Sequence, residues 1–408
     1  MSNQVATQQV RTPAKAWVML GLGVAAQATG TLLVSTPAYL IPLLHSDQGM
    51  PLAQAGLLAA APTFGMVLTL VLWGAAADRF GERWVIAGGL ALTALFAFAA
   101  VPADGYAWLT IVLVLGGAAS ASTNSASGRI VVGWFPRERR GLAMGIRQMS
   151  QPLGVAVAAL TVPALASGYG LAAPFVLSGA AALVLAVLCA WGIRNPPRPS
   201  TPVGAAAAGT ANPYTRDRFL LRIHVVSALL VFPQFTLSTF GLVWLTAGMG
   251  WNATAAGLVV AASQFVGALG RIVIGHLSDR LGTRVGVLRW VAIAGVVAMV
   301  LLGAAGWAHW DIVAAALFVI AATISVADNG LAFTSVAEAA GRRWSGRALG
   351  IQNTGQFVSA SVVGPVVGAL ITAVGFPLAF GLVAVTPLLA LGILPARDQH
   401  WDEPAGPR

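Results

Sequence analysis

Four ionisable side chains lie inside long apolar runs of this chain: Arg129, Arg147, Arg271 and Asp328. Charge in hydrocarbon is costly, so each must face a cavity or a partner. A guanidinium offers two parallel donors to a carboxylate, and a buried carboxylate can gain or lose a proton as its surroundings change. The implied chemistry is the holding of an anion and the carriage of a proton, not bond making. Arg271 lies eight residues before Asp279, roughly 12 Å along a helix; Arg147 lies six past Gly141, roughly 9 Å; Asp328 lies ten before Glu338, roughly 15 Å. Arg271 and Arg147 are assigned to substrate binding and Asp328 to proton coupling. An Arg271–Asp328 ion pair that merely holds helices together is the rival for Arg271, and a structural partnership with Arg271 or Arg129 is the rival for Asp328. Arg129 is expected to reach the surface along its aliphatic stem.

Uncharged polar residues accompany these charges. Gln264 precedes Arg271 by seven residues and Gln151 follows Arg147 by four, so each shares its arginine's helical face. Thr31, Ser35, Thr36 and Tyr39 form one polar set, and Gln234, Thr236, Ser238 and Thr239 another, with Ser35-Thr36 and Ser238-Thr239 203 residues apart. Asn124 and Asn329 are 205 apart, as are Gly145-Ile146-Arg147-Gln148 and Gly350-Ile351-Gln352-Asn353. Matching polar positions in two halves are what a site between them produces, with helix packing as the alternative. The candidate substrate set is Arg271, Arg147, Asn124, Gln151, Gln264, Tyr39, Thr31, Ser35, Gln234, Asn329, Asn353 and Gln356. The five histidines lack metal-ligand spacing, and no nucleophile stands beside a base. No metal, cofactor or enzymatic activity is expected.

The elements that must position these residues follow from a repeat. Gly74-Ala75-Ala76-Ala77-Asp78-Arg79-Phe80-Gly81-Glu82-Arg83 recurs 201 residues later as Gly275-His276-Leu277-Ser278-Asp279-Arg280-Leu281-Gly282-Thr283-Arg284. With 57% hydrophobic and 9% charged residues, against roughly 25% charged in a soluble domain, this is a membrane chain. At about 20 residues per span, it divides into twelve near 17–44, 52–76, 84–102, 106–134, 142–167, 171–193, 219–247, 253–277, 286–305, 310–335, 347–373 and 376–395. The proline-rich stretch 196–216 reads as a linker between six-helix bundles 14–195 and 217–397, flanked by tails 1–13 and 398–408. Cys189 has no partner for a disulfide, and the single lysine, Lys15, belongs to no phosphate-binding loop, which excludes an ATPase of the chain's own. The loop cations, from Arg11 and Lys15 to Arg397 and Arg408, all fall on one side, while the opposite loops carry only Asp47, Asp104 and Asp311 with His45 and His309. Both termini are therefore expected in the cytoplasm, and the net charge of +10 marks topology and anionic lipid contact, not nucleic acid.

The repeated loop resembles the signature after helices 2 and 8 of the major facilitator superfamily. Trp134-Phe135-Pro136-Arg137-Glu138-Arg139-Arg140-Gly141-Leu142-Ala143-Met144-Gly145 is similar to the helix 4–5 loop of many of its members. The resemblance covers the whole chain. It implies an all-α membrane protein of twelve transmembrane helices in two pseudo-symmetric bundles, alternating between access from either side. It further implies that Gly74, Asp78, Arg79, Gly81 and Arg83, with Gly275, Asp279, Arg280, Gly282 and Arg284, latch the cytoplasmic side of an outward-open state. Arg271, just before the second loop, is similar to the helix 8 arginine of monocarboxylate carriers, oxalate–formate exchangers and the nitrate–nitrite group. The exchangers place a second cation in helix 11, where this chain has Asn353 and Gln356, so oxalate itself is not implied.

The function expected is secondary transport of a small organic anion, a monocarboxylate first, across the cytoplasmic membrane by proton coupling or exchange. The partners expected are that substrate, protons and lipids, the carrier being a monomer. A drug–proton antiporter is the alternative. Its usual G-x-x-x-G-P-x-x-G-G of helix 5 is replaced by Gln151-Pro152-Leu153-Gly154, with the nearer match at Gly364-Pro365-Val366-Val367-Gly368. A transport-dead sensor on the same scaffold is a remote third.

Overall fold

A computed structural model describes residues 13–46, 49–50, 52–102, 105–195, 212–341 and 343–400. Arg11, Arg198, Arg342, Arg408, Asp47, Asp104 and linker residues 196–211 lie outside the described residues. Among those described, the chain is helical with no strand, as hydrocarbon requires of a chain that must satisfy its own backbone groups. The helices are α1 (Ala14–Ser46), α2 (Leu52–Phe80), α3 (Glu82–Ala99), α4 (Tyr106–Trp134), α5 (Arg137–Gln148), α6 (Ser150–Tyr169), α7 (Ala173–Gly192), α8 (Phe219–Val243), α9 (Ala253–Leu281), α10 (Val285–Trp307), α11 (Asp311–Ala340), α12 (Ser345–Val383) and α13 (Val385–Ile393).

Eleven long apolar segments emerge, the last running Ser345–Ile393 over 49 residues. That length would reach about 74 Å at 1.5 Å per residue, far beyond a ~30 Å hydrocarbon core. The chain instead turns at Gly375, whose φ of 79° is open to glycine, and the segment becomes two spans. Twelve spans result, and the expected boundaries 347–373 and 376–395 flank this turn. The fifth span differs from the expected 142–167: it begins at Arg137 and is interrupted at Met149, between α5 and α6. Pro152 explains the interruption, because it has no N–H for the carbonyl of Gln148.

Helices α1–α7 pack on one another, α4 against α1, α2 and α3, while α8–α13 gather around α11 and α12. The two most extensive contacts between these groups are crossed, α2 against α12 and α5 against α9, with α4 and α5 also meeting α11 and α4 meeting α12. The apolar cores show where the halves meet. At the arginine-rich end a single cluster includes Leu20, Val131 and Met144 with Ile223, Leu288, Leu331 and Leu349. Toward the other end the clusters separate, one around Leu33, Leu113 and Phe175 and one around Trp244, Phe318 and Phe380. The halves are sealed at the arginine-rich end and parted at the opposite one. Within the second half the Asp398 carboxylate accepts from the backbone N–H groups of Arg284 (3.0 Å) and Val285 (2.8 Å), capping α10, and two residues on His400 hydrogen-bonds Arg137 of the first half.

Candidate functional site: a central cavity above a crossed gate

A cavity of 330 Å³ is walled by α1, α2, α4 and α6 of the first half and touched from the second by Phe357. Five expected substrate residues line it: Thr31, Ser35 and Tyr39 from α1, Asn124 from α4, and Gln151 from α6. Thr63 and Met66 of α2, Ser120 of α4 and Phe357 of α12 share the lining. Helical spacing puts Thr31 and Ser35 on one face of α1, whereas Thr36 turns away and sits beside Ser178 of α7.

A polar layer supports the cavity floor. Asn124 accepts from Gln27 Nε2 (2.9 Å), and Gln27 Oε1 accepts from Ser127 Oγ (3.0 Å). Arg147 donates to Ser127 Oγ (2.8 Å), to the Asn124 carbonyl (2.5 Å) and to Gln148 Oε1 (2.7 Å), with its guanidinium 5.3 Å from the Phe333 ring centre. In the other half, Asn329 donates to Gln234 Oε1 (2.9 Å), and Gln356 Nε2 donates to Asn329 Oδ1 and Ser227 Oγ, both at 2.8 Å. Each of the equivalent asparagines is thus braced by a glutamine from the first helix of its half. Gln27 was not among the expected residues, although it precedes Thr31 by four and so lies on the same face. Among the described residues Asn353 bonds only to the Leu349 carbonyl of its own helix, and Gln264 is exposed on α9.

Arg271 and Asp328 do not form the expected rival ion pair. Arg271 Nη1 donates to the Gln148 carbonyl across the halves (2.7 Å), and its buried Nε has no partner among the described residues. Asp328 is 1% exposed, neither carboxylate oxygen has a hydrogen-bond partner, and it faces a narrow cleft walled by Leu230, Pro233, Val291 and Met299. A buried carboxylate so placed is costly unless it takes up a proton or gains a partner.

Below this layer the repeated loops close the molecule. Asp78 accepts from the backbone N–H groups of Gly346 (2.9 Å) and Arg347 (3.0 Å), the first turn of α12, where unpaired N–H groups and the helix dipole favour an anion. Asp279 does the same for Gly141 (2.9 Å) and Leu142 (2.8 Å) of α5. The glycines permit it: a Cβ on Gly74 would stand 2.2 Å from the Gly346 carbonyl oxygen, and one on Gly275 would stand 2.3 Å from that of Gly141. Arg284 joins Asp279 (2.6 Å) and crosses to the Arg137 carbonyl (2.7 Å), with Glu338 beside it at 3.7 Å. Arg129 corrects the expectation of a surface position: it is ion-paired with Asp78 and with Glu82 (2.8 Å), its side chain 12% exposed. Arg79 and Arg280 are exposed and outside the latch, and Arg83 instead donates to the Ala190 carbonyl near the end of α7. Gly81 precedes α3 with φ 84° and Gly282 ends α9 with φ 67°, so both serve the turns.

Two crossed backbone contacts at one end and an open polar cavity above them are the geometry of a carrier closed on one side. The Major Facilitator Superfamily profile matches residues 18–363. The chain belongs to this superfamily. An uncharacterised MFS-type transporter of Mycobacterium tuberculosis (strain ATCC 25618 / H37Rv) is 43% identical over 383 residues, covering 93% of this chain and 85% of that one. A probable sulfoacetate transporter of Cupriavidus necator is 26% identical across 90% of this chain and 91% of its own. Among solved structures, the MFS transporter FucP in the outward conformation matches with a TM-score of 0.73 at 17% identity, over 93% of this chain and 98% of that one, a likeness of fold. This member of the superfamily is a multi-pass membrane transporter, not an enzyme.

Proposed function

We propose that the chain carries a small organic anion by alternating access, driven by a proton gradient or by exchange. The observation that supports this most is a charge imbalance beneath the cavity. Arg129 has two carboxylates, but among the described residues Arg147 and Arg271 hydrogen-bond neutral groups alone. Asp328 acts on Arg271 through space without forming an ion pair, so two guanidiniums share one carboxylate near the middle of a membrane, and the surplus positive charge is relieved by an anionic ligand. The unpartnered Arg271 Nε keeps a donor for it, and Asp328 is the carboxylate that would carry the proton. The cavity is at the small end of the ~300–1,000 Å³ usual for ligand pockets, which favours a compact solute such as a monocarboxylate. The sulfoacetate transporter, named for a small organic anion, lends support. On this reading residues 14–195 and 217–397 are the two moving bodies. The arginine-rich end is cytoplasmic by the distribution of charge, so both termini are too, and the carrier stands open to the outside.

The test is uptake by proteoliposomes under an imposed pH gradient, with a panel of monocarboxylates, a sulfonated carboxylate, an uncharged sugar and a cationic dye. Anions should accumulate. Arg271→Lys should fail nearly as badly as Arg271→Ala, because a point ammonium lacks the paired donors of guanidinium; each should weaken binding by about 2–5 kcal/mol. A protein that moves only the dye is the drug–proton antiporter of the alternative reading, and the anion proposal fails.

A further inference from the structure

The two crossed contacts are built from equivalent positions, yet one carries a bond the other lacks. In the α5–α9 crossing, Pro152 leaves the Gln148 carbonyl without the N–H four residues on that an unbroken helix would give it. Arg271 of the opposite half fills that vacant acceptor at 2.7 Å. The helices approach closely enough for this because residue 145 is glycine: a Cβ there would stand 2.6 Å from the Arg271 carbonyl oxygen. In the α2–α12 crossing the equivalent glycine is Gly350, 2.6 Å by the same measure from the Leu70 carbonyl oxygen. There the repeat puts Leu70 where Arg271 stands and Phe357 where Pro152 stands, at the offsets 201 and 205. Leu70 brings no donor, and Phe357 keeps its N–H. The chain thus contains its own control.

We infer that Arg271 and the carbonyl freed by Pro152 form an interlock between the halves, made when the cytoplasmic side is closed and broken when it opens. The bond joins α9 to the α5–α6 junction at the depth where the path from cavity to cytoplasm must part. Opening that path separates α5 from α9 and exchanges this one charge-assisted bond for contacts with the water that enters. A carbonyl–guanidinium bond in a water-poor setting is worth more than the hydration that replaces it, so the interlock favours the closed state. Pro152 is a positioning residue: it acts by presenting the acceptor, and it does so whatever the carrier transports.

The experiment measures the gate itself, without substrate. Full-length protein in lipid nanodiscs, in a Cys189→Ser background, carries nitroxides at Glu138→Cys on α5 and Arg280→Cys on α9, and electron–electron resonance gives the populations of short and long distances. Pro152→Ala restores the N–H that competes for the Gln148 carbonyl, and Arg271→Leu installs the residue of the equivalent position. Each should move the closed-to-open ratio toward open by roughly tenfold to a hundredfold, the worth of one charge-assisted hydrogen bond. The double variant should move it no further than Arg271→Leu alone, because both changes remove one bond. If Arg271→Leu does not fold, Arg271→Gln replaces it in the cycle. Wild-type populations in Pro152→Ala, or effects that add in the double variant, overturn the interlock. Neither result touches the anion proposal, which is read from uptake.

Discussion

Gly74→Ala tests the crossed gate most directly, because its effect can be worked from coordinates. The new Cβ would lie 2.2 Å from the Gly346 carbonyl oxygen and 2.6 Å from its carbon, both backbone atoms that no rotamer change can move. An ordinary carbon–oxygen contact is about 3.3 Å or more, so α2 and α12 must part by about 1 Å. Asp78 lies one turn further along α2, and its bonds to Gly346 and Arg347 are 2.9 and 3.0 Å. A displacement of that size takes both beyond hydrogen-bond range. Two hydrogen bonds to a charged group are worth about 1.5–3 kcal/mol each, so the closed state loses roughly 3–6 kcal/mol. About 5.5 kcal/mol carries a two-state equilibrium from 99:1 to 1:99, so the variant should rest with its cytoplasmic side open. The assay is thiol labelling from the cytoplasmic side at Gln352→Cys, which is 1% exposed in the closed form, in a Cys189→Ser background. Labelling should be fast in Gly74→Ala and slow in its parent. Slow labelling in a variant with a normal thermal melt would refute the backbone contact as the closing device.

Two further outcomes are expected. Asp328→Asn should abolish proton-driven accumulation yet keep exchange of substrate, since a fixed neutral side chain lets loaded carriers reorient but returns no proton; normal accumulation under a pH gradient would place coupling elsewhere. Arg129→Met leaves Asp78 and Glu82 facing each other almost buried, at 3% and 2% side-chain exposure, and should cost about 3–5 kcal/mol of stability, read as a lowered melt in detergent; an unchanged melt would deny the pair its structural role.

How much of this was legible beforehand depended on whether a residue announces its partner. The spans did, since apolar length and a repeated loop are local signals, and the turn at Gly375 falls between the expected segments. The acidic residues of the latch were also visible. Their donors were not, because Asp78 and Asp279 accept from backbone N–H groups that have no side-chain signature. Arg129 was misjudged for a related reason: Glu82 and Asp78 lie 47 and 51 residues away in sequence, and nothing beside Arg129 marks them. Gln27 could have been found by extending the face of Thr31 and Ser35 by one more turn. Of the twelve expected substrate residues, all but Asn353 and Gln264 separate into a cavity lining, two bracing networks and two arginines below, a division that depends on rotamers and helix rotation, not on spacing.

The comparison of the two halves shows where the chemistry concentrates. Positions that the repeat keeps alike do the building: Asn124 and Asn329, Gln151 and Gln356, Gly74 and Gly275, Gly141 and Gly346. Positions where it differs hold the buried charge: Arg271 against Leu70, Arg147 against Gln352, and Asp328 against Thr123. The departures lie on α5, α9 and α11, which pack on one another, while α2 and α12 cross with apolar and amide residues at the matching sites. A symmetric scaffold can rock about its axis without favouring either side. On the proposed reading, placing Arg271, Arg147 and Asp328 beside one of its two crossings gives substrate and proton one place at which to bias that motion, while the other crossing keeps only the latch of Asp78 with Arg129 and the α12 backbone.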